Sequence, residues 1–320
     1  MSQDSWLSAA APYFAAAARE HNCELSLHPD GGFAGQIRLP DGSMKYFVRS
    51  SYDINTAGAW HVARDKALTK YFLESMGYPT IPGRAFFAGH AERGCDAAMA
   101  YAAEIGFPLM IKVNSSSGGH GVERVDDDHE IEATLRRAFA LDSIVVIEQY
   151  VAALRDYRVL VLDENVLLAY ERRPASVVGD GASTIDELID RQLPGKPPPA
   201  ESVERTLARA GLSRAAIPHR GNVVRLLDVA NLESGGTALD ISASLGAELM
   251  RLAVDVSRDM GLRLCGVDLL AEHAAAPRAY IVEINGSPTI HNFAHLCHIG
   301  EARLQALYGA LFVAMTGLER

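Results

Sequence analysis

The sequence predicts an α+β fold with mixed sheets and without a regular βαβ repeat. Two observations support this prediction. From residue 108 onward, stretches with helical spacing alternate with short apolar, β-branched stretches. Before them, residues 1–60 combine one helical stretch with short strands that Gly-containing turns separate. A chain of 320 residues, 48% of them hydrophobic, is long enough for roughly two domains.

The first 60 residues are predicted to form a small N-terminal α/β unit. A helix is expected over about Trp6–Arg19. Strands are expected around Cys23–Leu27, Gly35–Leu39 and Lys45–Val48. The stretch RDKALTKYFLESMG that follows has helical spacing and is expected to end at Gly77.

The later elements are assigned in the same way. Strands are expected at PLMIKV (108–113), SIVVIEQYV (143–151), a hairpin of RVLVL and NVLLAY, and a pair formed by LCGVDLL and AYIVEIN. Helices are expected at HEIEATLRRAFA (129–140), at STIDELIDRQ with Ser183 or Thr184 as its N-cap, over 241–261, and from near Glu301. Residues 193–199 form a proline-rich loop between them.

Charge and hydropathy exclude several classes of protein. The net charge is −10, and an acidic surface repels phosphate backbones, so general nucleic-acid binding is not expected. The start has no basic segment of the kind that opens a signal peptide, and the apolar stretch LQALYGALFVAM is too short to span a bilayer. We therefore expect a cytoplasmic protein without a membrane partner. Its four cysteines are scattered along the sequence, and we expect them to be reduced thiols.

Lys112 ends a predicted strand and is followed by NSSSGGHGV (114–122). Glycines let backbone N–H groups approach an anion closely, and lysine supplies a point charge. The lysine precedes the glycines, so the pattern is not the Walker motif, and GxGxxG is absent. Taken alone, the segment is equally well explained as a flexible turn.

Asp268, Glu283 and Asn285 are predicted to form a metal site. Glu283 and Asn285 lie two residues apart on one strand and share a face, and Asp268 lies on the preceding strand. Oxygen-bearing side chains suit Mg²⁺, which also binds phosphates. The alternative is that each carboxylate is solvated or caps a helix, but burying an unpaired charge within an apolar strand is costly.

Three further segments are weaker candidates. EQYV (148–151), followed by Arg155–Arg158, has acceptors for an adenine edge and a ribose, but a solvated loop explains it as well. The Arg172–Arg173 pair either binds an anion or balances the acidic surface. In VANLESGGTALD (229–240), a backbone anion site and a structural turn are equally compatible with the sequence. No GxSxG, HExxH or CxxC motif is present to indicate a serine hydrolase or a zinc site.

Taken in order, these segments resemble the ATP-grasp superfamily. RRPASVVGDGASTIDELI, NLESGGTALD and GVDLL…IVEINGSP are similar to segments of the ATP-grasp module of cyanophycin synthetases and of bifunctional γ-glutamate–cysteine ligase/glutathione synthetases. The resemblance covers roughly residues 45–295. It implies an ATP-grasp fold, in which two α+β subdomains clasp ATP, preceded by the N-terminal unit. The expected domains are the N-terminal unit at 1–60 and an ATP-grasp domain at 61–320. The ATP-grasp domain would comprise a linker and helical part at 61–105, a central subdomain at 106–152 with the Gly loop, and a C-terminal subdomain at 153–320 with the metal site.

The resemblance also implies roles for individual residues. Residues expected to bind ATP are Lys66, Lys112, Ser116, Ser117, Gly118, Gly119, His120, Gly121, Val122, Glu148, Gln149, Tyr150, Val151 and Asp156. Residues expected to act in catalysis are Lys112, Arg158 and Arg172. Residues expected to bind substrate are Arg172, Arg225, Asn231, Gly235 and Gly236. Residues expected to hold two Mg²⁺ ions, or Mn²⁺, are Asp268, Glu283 and Asn285.

The implied activity is ATP-dependent formation of a C–N bond between a carboxylate and an amine. The substrates would be amino acids or small peptides, activated as an acyl phosphate, with ADP and phosphate released. The sequence departs from the related enzymes near the acceptor loop, where Leu227–Asp228 replace an arginine and Glu233 replaces a serine. Neither glutathione nor cyanophycin can therefore be assumed as the product. The alternatives are a small-molecule kinase and a non-catalytic nucleotide-binding protein, and a homodimer is expected by analogy only.

Overall fold

The structure is a computed structural model that describes residues 9–29, 32–90, 92–116, 121–195, 197–291, 297 and 299–318. Its helices, in chain order, are α1 (Ala11–Glu20), α2 (Ala57–Arg64), α3 (Lys66–Ser75), α4 (Cys95–Ile105), α5 (Asp128–Leu141), α6 (Ile185–Gln192), α7 (Ala200–Arg209), α8 (Ala247–Asp259) and α9 (Glu301–Thr316). Its strands are β1 (Glu24–Leu27), β2 (Ala34–Arg38), β3 (Met44–Val48), β4 (Ser51–Tyr52), β5 (Gly83–Phe87), β6 (Leu109–Val113), β7 (Val122–Val125), β8 (Ile144–Gln149), β9 (Arg155–Leu162), β10 (Asn165–Arg173), β11 (Ser176–Val178), β12 (Val223–Arg225), β13 (Thr237–Asp240), β14 (Leu264–Ala271) and β15 (Tyr280–Asn285). The predicted α+β class is confirmed.

Several helix boundaries have local causes. Thr184, rather than Ser183, caps α6, because its hydroxyl accepts from Glu187 N while the Glu187 carboxylate accepts from Thr184 N. The helix predicted over 241–261 begins later, at Ala247, because Asp240 and Ser242 form a hydrogen-bonded turn before it. The sequence reading missed α4, an alanine-rich helix, and α7, which starts directly after the proline-rich loop. The predicted start of α1 falls partly on residues 1–8, which lie outside the described residues.

One compact unit, unit 1, comprises the described parts of Met1–Pro79, Tyr157–Tyr170 and Asp240–Arg320. Strands β1 to β4 form an antiparallel sheet in sequence order. Helix α9 buries one face, on which Phe312 packs edge-on against Phe14 of α1, with ring centroids 5.6 Å apart. The last helix therefore packs within its own unit. A second core of this unit lies around α8, β14 and β15.

The other compact unit, unit 2, comprises the described parts of Thr80–Asp156 and Glu171–Leu239. Its four-stranded sheet has the order β5-β8-β6-β7, and all its neighbours are antiparallel. Helices α4 and α5 bury apolar residues against this sheet. A separate core joins α6, α7 and the β11–β12 pair. The domain boundaries expected at residues 60, 105 and 152 remain a prediction.

A five-stranded sheet has the order β13-β10-β9-β14-β15. The neighbours β9 and β10 correspond to the predicted hairpin. Strands β14 and β15 are the predicted pair, and the structure shows that they are antiparallel. This sheet carries the metal-site candidates near the end of β15. None of the described helices combines the length and apolarity that crossing a membrane requires.

Candidate active site

In unit 2, Lys112 and Glu148 form a buried ion pair. Their strands β6 and β8 are neighbours, and Glu148 lies opposite Met110. Lys112 Nζ donates to Glu148 Oε2 at 2.5 Å. The two residues are only 9% and 5% exposed, respectively, so the charges compensate each other where water is largely excluded.

Glu148 has room because Gly83 lies opposite it on β5. A Cβ at Gly83 would lie 2.3 Å from Ile147 O and 2.6 Å from Glu148 Cγ. Residue 83 must therefore lack a side chain if Glu148 is to keep this position. The sequence reading did not identify Gly83, and the only signal was a glycine after Pro82 at the start of a strand.

We expect Gly83→Ala to lower the free energy of unfolding by about 1–3 kcal/mol, because the backbone of β8 must move to accept the methyl group. Urea unfolding followed by circular dichroism measures the change. The control is Gly58→Ala in α2, where a Cβ meets nothing within 4 Å. That variant should be unchanged or slightly stabilised. Equal stabilities of the two variants would contradict the packing argument.

The segment that follows Glu148 is held in place by backbone hydrogen bonds. Gln149 N donates to Pro82 O at 2.9 Å, and Tyr150 N donates to Pro108 O at 3.0 Å. Val151 follows beyond the end of β8, half-buried. The segment EQYV is therefore a fixed edge of unit 2 rather than a solvated loop.

The Gly loop connects β6 to β7. Val113 N donates to Gly121 O at 2.9 Å, which closes the loop at its base. Gly121 has φ +64°, and a Cβ there would lie 2.7 Å from Val113 Cγ2. Ser116 Oγ donates to Val113 O, and Val122 pairs with Lys112 in the sheet. Ser117, Gly118, Gly119 and His120 lie outside the described residues.

Asp156 and Arg172 are brought together on the neighbouring strands β9 and β10. Arg172 Nε donates to Asp156 Oδ1 at 2.8 Å, and Arg172 Nη2 lies 2.6 Å from the same oxygen. The resemblance implied separate roles for them, Asp156 near a ribose and Arg172 at the transferred phosphoryl group or the carboxylate substrate. The structure shows that the two side chains orient each other.

In unit 1, Arg158 and Asp268 form a two-pronged ion pair. Arg158 Nε donates to Asp268 Oδ1 at 2.5 Å, and Nη2 donates to Oδ2 at 2.7 Å. Asp268 is 2% exposed. Burial disfavours the charged guanidinium, but the charge of Asp268 and its hydrogen bonds outweigh this and raise the pKa of Arg158 well above its usual value. The guanidinium of Arg158 therefore keeps its charge at any physiological pH.

Glu283 lies directly opposite Asp268 in the β14–β15 register, and Asn285 lies two residues further along β15. The three side chains therefore share one face of the sheet. Lys66 Nζ, at the start of α3, is 3.7 Å from Glu283 Oε1. Asn285 Oδ1 accepts from Ser287 N at 2.9 Å. Two carboxylates, an amide, a lysine and an arginine are thus assembled at one strand end.

Asn55 supports this strand end, and the sequence reading did not identify it. Its Nδ2 donates to Leu264 O at 2.7 Å and to Gly286 O at 3.0 Å. Its Oδ1 accepts from Arg263 N and Leu264 N at 2.9 and 3.0 Å. One side chain therefore ties the start of β14 to the turn after Asn285.

We expect Asn55→Ala to lower the free energy of unfolding by about 2–3 kcal/mol, because several partly buried backbone groups lose their partners. Urea unfolding measures this loss. The control is Asn165→Ala, which removes one exposed hydrogen bond to Asp163 O. That change should stay within about 0.5 kcal/mol. A loss as small as the control's would contradict the supporting role of Asn55.

Comparison with known proteins identifies the family. Residues 65–173 match the family described as carbamoyl-phosphate synthase L chain, ATP binding domain. Residues 227–304 match the RimK-like ATP-grasp domain. The chain carries an ATP-grasp domain. The predicted family resemblance is confirmed.

Two relatives share this ATP-grasp region. The cyanophycin synthetase of Trichormus variabilis is 33% identical over 245 residues, which are 71% of this chain and 26% of the relative. The glutathione biosynthesis bifunctional protein GshAB of Clostridium perfringens is 31% identical over 206 residues, which are 57% of this chain and 26% of the relative. The chain thus spans about a quarter of the length of these relatives.

Solved structures confirm the ATP-grasp fold. The bifunctional glutathione synthetase from Pasteurella multocida has a TM-score of 0.61 at 20% identity, covering 98% of this chain and 44% of that one. The D-alanine–D-alanine ligase from Bacillus anthracis complexed with ATP has a TM-score of 0.51 at 17% identity, covering 82% and 72%. At these identities the likeness concerns the fold alone.

The donor set fits a hard divalent cation. Among the described residues, no three His, Cys, Asp or Glu side chains are grouped to hold a metal ion. The ATP-grasp candidates are instead two carboxylates and an amide, which are oxygen donors of the kind that Mg²⁺ prefers. Arg158 occupies one lone pair on each oxygen of Asp268, and a carboxylate has about four such sites. The residues present can therefore accept the ion without losing the Arg158 contact.

The predicted substrate-binding residues form a compact turn. Asn231 Oδ1 accepts from Glu233 N, and its Nδ2 donates to Ser234 Oγ. Gly235 has φ +82°, and a Cβ at Gly236 would lie 2.5 Å from Asn231 O. Arg225 donates to the backbone oxygens of Leu227 and Asp228. These contacts explain the shape of the loop, and the substrate roles of its residues remain a prediction.

Proposed function

We propose that this chain is an ATP-dependent ligase that joins a carboxylate to an amine, with amino acids or small peptides as substrates. The observation that carries the proposal is the opposed pair Asp268–Glu283, flanked by Arg158 and Lys66. The relatives, named as a cyanophycin synthetase and as a glutathione biosynthesis protein, support it. Because the chain spans about a quarter of each of them, their substrates are not carried over.

The chemistry explains why such residues are needed. A carboxylate is a poor electrophile, so one of its oxygens first attacks the γ-phosphorus of ATP. The bond from that phosphorus to the bridging oxygen breaks, which gives an acyl phosphate and ADP. The amine then attacks the acyl carbon, phosphate leaves, and an amide forms. A protein assists mainly by positioning the reactants and neutralising charge.

The residues of unit 1 fit the phosphate end of this reaction. Two Mg²⁺ ions, or Mn²⁺ in their place, would be held by Asp268, Glu283 and Asn285. The metal would neutralise negative charge on phosphate oxygens. Lys66 and Arg158 keep fixed positive charges at the same strand end. Arg158 is held by Asp268, so it is oriented before substrate arrives.

The residues of unit 2 fit nucleotide and substrate. Lysine has three N–H donors, so Lys112 can bond Glu148 and a phosphate at once. We assign adenine to Glu148–Val151, ribose to Asp156, and the carboxylate substrate or transferred phosphoryl group to Arg172. Residues 116–122 would exclude water, which hydrolyses an acyl phosphate.

Further substrate contacts are proposed for Arg225, Asn231, Gly235 and Gly236. A homodimer is proposed by analogy with related enzymes. Light scattering, which gives the molar mass in solution, tests it.

The test is ADP release from Mg²⁺-ATP over a matrix of amino acids and dipeptides, with mass spectrometry of every positive well. We expect a product mass equal to donor plus acceptor minus water. The Asp268→Ala, Glu283→Ala double variant should give no such product. ADP release with only a phosphorylated donor would overturn the ligase assignment in favour of a kinase. ATP binding without turnover across the matrix would favour a non-catalytic protein.

A further inference from the structure

The turn that follows β15, Gly286–Ser287, packs against Trp60 of α2. A Cβ at Gly286 would lie 3.1 Å from Trp60 Cδ1 and 3.5 Å from Ala63 Cβ, so the indole lies directly against the backbone of the turn. The guanidinium carbon of Arg64, one helical turn further along α2, lies 4.4 Å from the centre of the Trp60 ring. The ring is therefore fixed by contacts with its own helix and with the turn.

Ser287 connects Trp60 to the candidate metal ligand Asn285. Trp60 Nε1 donates to Ser287 Oγ at 2.5 Å. The indole nitrogen is only a donor, so the serine hydroxyl accepts this bond and keeps its own proton for a second one. Ser51 Oγ of β4 lies 3.2 Å from Ser287 Oγ and can receive that proton. The backbone N–H of the same serine donates to Asn285 Oδ1 at 2.9 Å, so the hydrogen bonds run without a break from α2 to this amide.

The bond from Ser287 N decides which way the Asn285 amide points. The terminal torsion of an asparagine is broad, so its oxygen and its NH2 group can exchange places where nothing selects between them. Here the reverse orientation would set the NH2 group against a backbone N–H, with two donors facing each other. A carbonyl oxygen has two lone pairs, so Oδ1 can accept from Ser287 N and still bind a cation, whereas the NH2 group offers only donors. The position of Ser287 therefore controls whether Asn285 can act as a metal ligand.

We propose that Trp60 is a positioning residue for the metal site. Its indole N–H holds Ser287, and Ser287 in turn keeps the amide oxygen of Asn285 available to the cation. The inference rests on the proposed function, because it takes Asn285 as a metal ligand. Trp60 lies 227 residues before Ser287, so no spacing within a motif indicates this role.

The test is titration of the nucleotide-free chain with Mn²⁺, followed by electron paramagnetic resonance. Trp60→Phe keeps an aromatic ring beside Gly286 and removes the N–H donor. We expect this variant to bind Mn²⁺ about tenfold more weakly, at the low end of what the outer partners of a metal ligand contribute. Ser287→Ala removes the acceptor of the indole N–H and keeps its own backbone N–H. It should weaken binding similarly, and it serves if thermal unfolding shows that Trp60→Phe does not fold.

The matched control is Tyr78→Phe in the same unit. It likewise removes the donor of an aromatic side chain, whose hydroxyl donates to Asp259 Oδ2 of α8 at 2.6 Å. We expect it to bind Mn²⁺ as the unmodified chain does. A loss as large as that of Trp60→Phe would show that the effect is a general consequence of removing such a bond, and would overturn the proposal.

A second background separates orientation of the amide from loss of packing. In Asn285→Asp both terminal atoms are oxygens, so the cation meets an oxygen in either orientation. Adding Trp60→Phe to Asn285→Asp should therefore leave Mn²⁺ binding unchanged. An equal loss in both backgrounds would overturn the orienting role, and so would unchanged binding by Trp60→Phe alone. Failure of the unmodified chain to bind Mn²⁺ would instead overturn the metal site of the proposed function, and the role of Trp60 with it.

Discussion

Asp268→Asn should lower the free energy of unfolding by at least about 3 kcal/mol, because it leaves the charge of Arg158 in a largely buried place without its counter-ion. The asparagine has nearly the same shape as the aspartate, so the loss does not come from a cavity. Arg158 cannot escape by losing its proton, because an arginine guanidinium stays protonated in proteins even without a counter-ion. Urea unfolding followed by circular dichroism measures the difference.

The matched control is Asp163→Asn. Asp163 receives the same two-pronged contact from Arg263, at 2.7 and 2.8 Å, but the two side chains are 39% and 49% exposed. An exposed pair contributes about 0–1 kcal/mol, so this variant should be nearly as stable as the unmodified chain. Losses of equal size at the two positions would show that burial is not what makes the Arg158–Asp268 pair important.

Glu283→Gln should have the opposite profile, with folding retained and ADP formation reduced about 10²–10³-fold. Glu283 is 36% exposed and lies 3.7 Å from Lys66, so its loss should cost under about 1 kcal/mol of stability. The loss of activity is expected because Glu283 would hold the metal ion that neutralises negative charge on the phosphate oxygens, and removing one electrostatic stabiliser of a transition state costs in that range. ADP release from Mg²⁺-ATP with the substrate pair found in the matrix measures the change.

Mn²⁺ binding, followed by electron paramagnetic resonance, gives a readout that does not depend on turnover. Glu283→Gln should weaken it, while Glu272→Gln, an exposed glutamate beyond the end of β14, should not. If Glu283→Gln released ADP and bound Mn²⁺ as the unmodified chain does, Glu283 would not be part of the metal site. Weakened Mn²⁺ binding with unchanged ADP release would instead show that Glu283 binds metal but does not limit turnover.

Prediction from sequence succeeded where the relevant information is local. The strands at 108–113 and 264–270 follow from a run of apolar residues, and the start of α6 follows from Thr184 and Glu187, three residues apart. The shared face of Glu283 and Asn285 follows from the alternation of side chains along one strand. Helix α4 was missed because its alanine-rich sequence gives little contrast between its faces.

Prediction failed where residues distant in sequence meet. Arg158 and Asp268 are 110 residues apart, and nothing near either position indicates that one is the other's counter-ion. Asn55 reaches Leu264 from 209 residues away, so its four hydrogen bonds could not be inferred from DINTAG. Gly83 is needed only because β8 lies beside it and places Glu148 there.

Which chemical groups this protein has, their order along the chain and the ATP-grasp family to which they belong can all be inferred without the fold. The pairing of those groups cannot be inferred in this way: Lys112 pairs with Glu148, Asp156 with Arg172, and Arg158 with Asp268. Backbone propensity and side-chain alternation act over only a few residues. The charge environment of a buried group depends instead on whichever strand packs beside it.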